Sequence, residues 1–198
     1  MGWYTPDEEV IDVPERTTVA DLRTAAAGLE QALAAADGRW GRPSPCTGWT
    51  AADVADHVLD WLRRGAEQVG SPVSDGSTDR RQQLRELVDG ICGAIEADPE
   101  VLERPMSLSG QGGGLPGFIT LGILTTDVLV HSWDLARAAG SDVVLDEGLS
   151  RRSLEGARPM EAQIRGSDSF GPAVAVPDDA SVQDQMLGFF GRDPAWGR

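Results

Sequence analysis

Two residue types are missing from this chain, and several others are scarce. Its 198 residues include no Lys and no Asn, and only two His, two Cys and one Tyr. Without Lys, the chain can form neither a Schiff base nor the lysine contact of a P-loop. The two cysteines show no close pairing pattern and follow no signal peptide, so we expect a reduced, cytoplasmic protein.

Positive charge is also in short supply. The 17 basic residues, all Arg, face 32 acidic residues, and the net charge is −15. No basic stripe is present that would hold a phosphate backbone, which excludes a nucleic-acid partner. No apolar run reaches the roughly 20 uncharged residues that a membrane span needs. The longest candidate, residues 115 to 133, is interrupted by Asp127, so we expect no membrane partner either.

What the chain does contain is helical periodicity. Gly140 is predicted to end the fourth of five long helices, strand signal is almost absent, and the 40% hydrophobic content suffices for one core. These patterns predict an all-α bundle, with residues 1–17 as an N-terminal arm and 18–198 as a single domain. Apolar residues recur at helical spacing at about 18–37, 51–69, 79–98, 117–140 and 147–165, and more briefly near 180–190.

The candidate site begins on the helix predicted over 117–140. Its only ionisable residues before Asp134 are Asp127 and His131, which are four apart and therefore share one helix face. The same face carries Leu124 and Val128, so it should point into the core. An ionised carboxylate is costly there unless it is paired or bound to a cation.

The second histidine extends this argument to another helix. His57 borders the apolar side of the helix predicted over 51–69, for which Thr50 is the expected N-cap. Two His and one Asp converging inside a bundle would form a three-ligand metal site with an open fourth position. The alternative is a satisfied Asp127–His131 pair in the core, with His57 unrelated to it. A shared cation would remove the burial cost of the carboxylate, which favours the metal site.

Two segments carry a resemblance to a known family. PSPCTGWTAADVADHV, at 43 to 58, and TTDVLVHSWDLARAAG, at 125 to 140, resemble the signature stretches of the DinB/YfiT-like superfamily. The likeness is to the actinobacterial branch related to mycothiol-dependent maleylpyruvate isomerase, and it covers about residues 18 to 195. It implies a DinB-like four-helix bundle with one long crossover connection, followed here by short C-terminal helical elements.

The resemblance also implies a divalent metal held by His57, Asp127 and His131. Zinc is the expected metal, with nickel or iron also open. Two departures separate this chain from the isomerase: Asp127 stands where the isomerase has Glu, and we expect no appended C-terminal domain. Both departures argue against maleylpyruvate itself as the substrate.

The implied activity follows from the chemistry of such a site. Zinc with three N or O ligands keeps one position open, and a thiol coordinated there is deprotonated near neutral pH. We expect a metal-dependent thiol transferase or cis–trans isomerase that uses mycothiol, or a similar small thiol, against a small electrophile. The alternative is a non-catalytic metal- or ligand-binding bundle, such as a stress or partner-binding protein. Non-haem iron oxygenases are disfavoured because they usually use β scaffolds, and a homodimer stays open.

Further residues near these motifs have less specific roles. Trp61 and Trp133 are expected in the core rather than along the cleft. Asp134 and Arg137 lie one turn beyond the ligands and either orient a ligand or an anionic substrate, or form an exposed ion pair. Cys46 precedes a helix and is expected to be a structural turn cysteine, with a reactive thiol as the alternative.

Overall fold

Seven α-helices organise the chain within the residues that the computed structural model describes, which are 15–73, 77–108, 114–166 and 170–197. The predicted N-terminal arm, 1–17, lies outside these ranges except for its last three residues. The all-α prediction is confirmed. The helices are α1 Val19–Ala36, α2 Ala51–Gln68, α3 Arg80–Ala97, α4 Gly117–Ala139, α5 Glu147–Ala157, α6 Glu161–Gly166 and α7 Val182–Phe189.

The first four helices form the bundle. Each of α1 and α2 packs against both α3 and α4, so α3 and α4 occupy diagonal corners. The link between those two corners is the longest connection in the bundle and corresponds to the expected crossover. It contains a 3-10 turn, Pro99–Glu103, and strand β1, Pro105–Met106, which pairs antiparallel with β2, Leu115–Pro116. The sequence shows no helical periodicity between the predicted helices over 79–98 and 117–140, because such short elements leave no repeating pattern.

Helix α2 begins at a fixed residue because its N-terminus carries a reciprocal cap. The Thr50 hydroxyl accepts from the Asp53 amide at 3.3 Å, and the Asp53 carboxylate accepts from the Thr50 amide at 2.8 Å. Such a box satisfies donors that would otherwise lack partners at the first turn. Thr50 was the predicted cap. His57 therefore lies two turns inside α2, at a defined height along the bundle.

The C-terminal elements pack on the outside of the bundle. Gly140 ends α4 with a left-handed φ of 79°, as predicted. Helix α5 packs against α4 and α7. The predicted helix over 147–165 is interrupted by a 3-10 turn at Arg158–Met160, because Pro159 cannot continue the hydrogen-bond ladder. None of the described helices is long and apolar enough to span a membrane.

Candidate metal centre

Helices α2 and α4 bring the three predicted site residues together. His57 comes from α2, while Asp127 and His131 come from one face of α4. One ligand atom from each of the three lies within 4.8 Å of the other two. The sequence placed Asp127 and His131 side by side, and the packing of α2 on α4 adds His57.

The Asp127 carboxylate lies between the two imidazoles. Its Oδ1 is 3.5 Å from His57 Nε2 and 3.4 Å from His131 Nε2. The two rings meet edge to face with centroids 4.9 Å apart. The second oxygen, Oδ2, is buried and receives no hydrogen bond from any described residue. Three potential ligand groups thus face one small volume, and one carboxylate oxygen among them has no partner within the described part of the chain.

Burial and charge oppose each other at this pair. Burial raises the pKa of Asp127, but the neighbouring imidazoles of His131 and His57 outweigh it and hold that pKa below its ordinary range. Burial lowers the pKa of His131, but Asp127 and Asp134 outweigh it and raise that pKa well above its ordinary value. The two shifts share one cause, because the ionised form of Asp127 and the protonated form of His131 stabilise each other.

A second layer of polar side chains holds His131 from behind. His131 Nδ1 donates to Asp134 Oδ2 at 2.8 Å, and Asp134 is fully buried. The same oxygen accepts from Arg192 Nη2 at 2.8 Å, and Arg192 Nε reaches both Asp134 oxygens at 3.2 and 3.3 Å. Burial raises the pKa of Asp134, but Arg192 and His131 outweigh it and lower that pKa to about 2. Asp134 is therefore an ionised acceptor that fixes the ring of His131.

Cys46 belongs to this second layer. Its thiol donates to Asp134 Oδ2 at 3.2 Å, and Arg192 Nη2 donates to its sulfur at 3.2 Å. The turn before α2 holds it in place, because the Cys46 amide donates to the hydroxyl of Ser44 at 3.2 Å. Cys46 thus lies in the turn before α2, and its side chain contacts the groups that orient His131.

Tryptophans line one side of the cluster. The Trp49 ring is 5.0 Å from the His57 ring and 6.2 Å from the His131 ring, centroid to centroid. Trp61 meets His57 edge-on at 5.9 Å and is only partly buried. Trp133 is 3% exposed and belongs to the core. The expectation of a core position is therefore confirmed for Trp133, whereas Trp61 borders the site.

Asp134 and Arg137, which lie beyond the proposed ligands on α4, have separate roles. Asp134 contacts His131, which confirms one of the two interpretations from the sequence. Arg137 instead pairs with the exposed Asp142 and donates to the Trp196 carbonyl at 3.0 Å. The basic partner of Asp134 is Arg192, which the sequence did not single out. No periodic signal links these two residues, since 58 positions separate them.

Within the described ranges, no fourth His, Cys, Asp or Glu joins the cluster of His57, Asp127 and His131. The side chain of His57 is 26% exposed and that of Asp127 is 12% exposed, whereas His131 is buried. One side of the cluster is thus accessible from solvent and the other rests on the second layer.

An all-α bundle that holds a His–Asp–His cluster between its second and fourth helices defines the chain as a DinB-like protein. Residues 19–136 match the family model described as the mycothiol maleylpyruvate isomerase N-terminal domain, and the chain belongs to that family. This confirms the resemblance carried by the two signature segments.

Two curated relatives extend the comparison. Both are uncharacterized proteins of Mycobacterium tuberculosis, one from each of two strains, and each is 33% identical to this chain over 163 residues. The aligned region covers 77% of this chain and 84% of each relative. No solved structure matches the chain.

Proposed function

We propose that the protein is a metal-dependent thiol transferase or isomerase whose divalent metal, most simply zinc, is held by His57, Asp127 and His131. The observation that carries the proposal is the buried Oδ2 of Asp127, which has no partner among the described residues although two imidazoles flank the same carboxylate. Two imidazole nitrogens and one carboxylate oxygen are a common donor set for catalytic zinc.

The distances favour a cation site over a satisfied core pair. Ordinary N–H···O hydrogen bonds span about 2.7 to 3.2 Å. Both imidazole nitrogens lie farther than that from Asp127 Oδ1, at 3.4 and 3.5 Å. A pair selected for stability alone would close these gaps and would not leave a buried carboxylate oxygen without a donor.

Once a divalent metal is bound, the charge of the site favours an anionic ligand, such as a thiolate, at the accessible side. Asp134 and Arg192 neutralise each other, so once both imidazoles are neutral, as metal ligands must be, Asp127 carries the one uncompensated charge among the contacting side chains of the two layers. A divalent cation with one carboxylate and two neutral imidazoles keeps a net positive charge. Zinc in such a site acts as a Lewis acid that favours the deprotonated form of a thiol.

The protein's own residues would orient the reactants. Asp134 holds His131 by its Nδ1, so that only Nε2 faces the cluster. Trp49 contacts both imidazoles and Trp61 contacts that of His57, so the two indole rings form one wall of the site. The side chain of His57 is partly exposed, so a thiol and an electrophile would approach the proposed metal from that side.

Membership of the mycothiol maleylpyruvate isomerase N-terminal domain family supports mycothiol as the thiol. In a transfer reaction, the thiol sulfur adds to one carbon of a conjugated double bond, whose π bond breaks; the other carbon takes up the proton that the thiol gave up, and the carbon–sulfur bond persists in the product. In an isomerisation, the sulfur adds to a conjugated double bond, the resulting single bond rotates, and loss of the thiol restores the double bond in trans. Both reactions require the thiol to be deprotonated and held next to the electrophilic carbon.

Metal analysis of the purified protein tests the proposal. We expect about one equivalent of divalent metal in the native chain, and loss of that metal in His57→Ala and Asp127→Ala. Asp142→Ala is the matched control, because Asp142 is exposed and remote from the cluster. Consumption of mycothiol with a conjugated electrophile then tests catalysis. Metal without thiol chemistry would leave a non-catalytic metal-binding bundle, and native protein without metal would refute the proposal.

A further inference from the structure

The second layer is itself a set of metal-type ligands. Cys46, His131 and Asp134 each offer one ligand atom within 4.8 Å of the other two, and His131 also belongs to the outer cluster. The donors are a thiol sulfur, an imidazole nitrogen and a carboxylate oxygen, a combination that suits zinc. The chain therefore holds two adjacent sets of potential ligands that share one histidine.

A cationic side chain already fills the inner set. Arg192 is 8% exposed, and its Nη2 lies 2.8 Å from Asp134 Oδ2 and 3.2 Å from Cys46 Sγ. Its Nη1 donates to the Phe190 carbonyl at 2.8 Å, which anchors the guanidinium from the other side. Because a guanidinium is not deprotonated in proteins, this positive charge is permanent.

Arg192 contacts two of the three atoms that a metal ion in the inner set would bind, Asp134 Oδ2 and Cys46 Sγ. A carboxylate oxygen shared between a metal and the guanidinium would bring two cations together in a buried place, where their repulsion is poorly screened. An ion taken up at Nδ1 of His131 would also replace the hydrogen bond from that atom to Asp134. The outer cluster would then lose its fixed imidazole.

Building on the proposed function, we infer that Arg192 is a positioning residue that occupies a second cation site, confines the protein to one metal ion and keeps His131 directed to that ion through Nε2. The number of ions that these residues bind does not depend on which thiol or electrophile the protein uses.

Cobalt(II) titration of the full chain tests the inference, because a cobalt–thiolate contact gives a charge-transfer band that imidazole and carboxylate ligands do not give. We expect wild type to bind one equivalent without that band. Arg192→Met should bind a second equivalent and gain the band. Arg192→Lys, which keeps the positive charge, should behave as wild type. Adding Cys46→Ser to Arg192→Met should abolish the band, which assigns it to this cysteine.

The outcomes separate the two proposals. Wild type that binds no cobalt refutes the metal site itself. If wild type and folded Arg192→Met each bind one equivalent of cobalt and neither shows the thiolate band, only the role of Arg192 is refuted. A thiolate band in wild type also overturns it, since Cys46 would then already be a ligand. If Arg192→Met unfolds without metal, the inference requires that two equivalents of cobalt restore its helical signal, and failure of that rescue refutes it.

Discussion

Replacing Asp134 by Asn removes one buried charge while keeping the shape of the side chain. The carboxylate is fully buried and accepts hydrogen bonds from His131, Arg192 and Cys46. Asn retains an oxygen that still accepts from some of these donors. The Arg192 guanidinium, however, is left buried without a counter-charge, and the hydrogen bond that orients His131 loses its ionic character.

Two magnitudes follow from that geometry. Removing one partner of a buried ion pair costs about 3 to 5 kcal/mol of unfolding free energy. For a chain of this size each kcal/mol corresponds to about 2 to 4 °C in Tm, so we expect a decrease of about 6 to 20 °C. Loss of the hydrogen-bond partner behind a metal-binding histidine typically weakens metal affinity about 10- to 100-fold, which corresponds to about 1.4 to 2.7 kcal/mol.

The assay measures both quantities on the same preparations. Urea unfolding followed by circular dichroism, in the presence of a chelator, gives the stability of the metal-free protein. Competition with a chromophoric chelator gives the zinc affinity of the folded protein. Asp142→Asn is the control, because it makes the same change in an ion pair whose Asp142 side chain is 92% exposed. That variant should lose at most about 1 kcal/mol and should keep its zinc affinity.

A second comparison isolates the charge. Adding Arg192→Met to Asp134→Asn removes both buried charges, and buried pairs replaced together are often close to neutral in stability. We therefore expect the double variant to regain most of the lost unfolding free energy. The reasoning is refuted if folded Asp134→Asn binds zinc within twofold of wild type, or if its stability changes no more than that of Asp142→Asn.

Three further predictions concern the wall of the site, the C-terminal packing and pH. Cobalt(II) should quench the tryptophan fluorescence of wild type more than that of Trp49→Phe, because the Trp49 ring lies close to both imidazoles. Equal quenching in the two proteins would contradict this placement. Gly188→Ala should lower the unfolding free energy by about 1 to 3 kcal/mol, since the new Cβ would lie 2.6 Å from the Val174 carbonyl oxygen. Gly93→Ala is the control, because a Cβ there meets no other atom within contact distance. That helical substitution should be stabilising in the same urea assay. The pKa of His131 is raised in the folded protein, so its contribution to the stability of chelator-treated protein is complete below the unfolded pKa and is lost as pH rises through the folded pKa. The urea midpoint of that protein should therefore fall on the alkaline side of neutrality. Zinc-loaded protein should not show this loss.

The part of the structure that the sequence predicted is the part governed by local rules. Helical spacing of apolar residues located α1 to α4, and residue types at the ends, Thr50 and Gly140, located where α2 begins and α4 ends. Asp127 and His131 were recognisable as a pair because a spacing of four residues fixes their relation within one helix. His57 was added because the chain holds only two histidines.

The remainder of the site depends on contacts that no local pattern records. Trp49 lies in the turn before α2 and reaches the imidazoles only because that turn packs against α4. Arg192 follows α7 and meets Asp134 only because the C-terminal segment packs back on the bundle. Seventeen arginines offered no way to choose this one from the sequence. Burial, which distinguishes Arg192 from the exposed arginines, is a property of the tertiary structure.

Arg192 extends the site beyond the part of the chain that matches the family model. The region that matches the family model, 19–136, contains the three proposed ligands together with Cys46, Trp49 and Asp134. It does not contain the cation that neutralises Asp134, which lies at position 192. Without that cation, the buried carboxylate would keep only His131 and the Cys46 thiol as partners and would compete with Asp127 for a metal or a proton. The C-terminal segment is therefore part of the site electrostatically, although it supplies none of the proposed ligands.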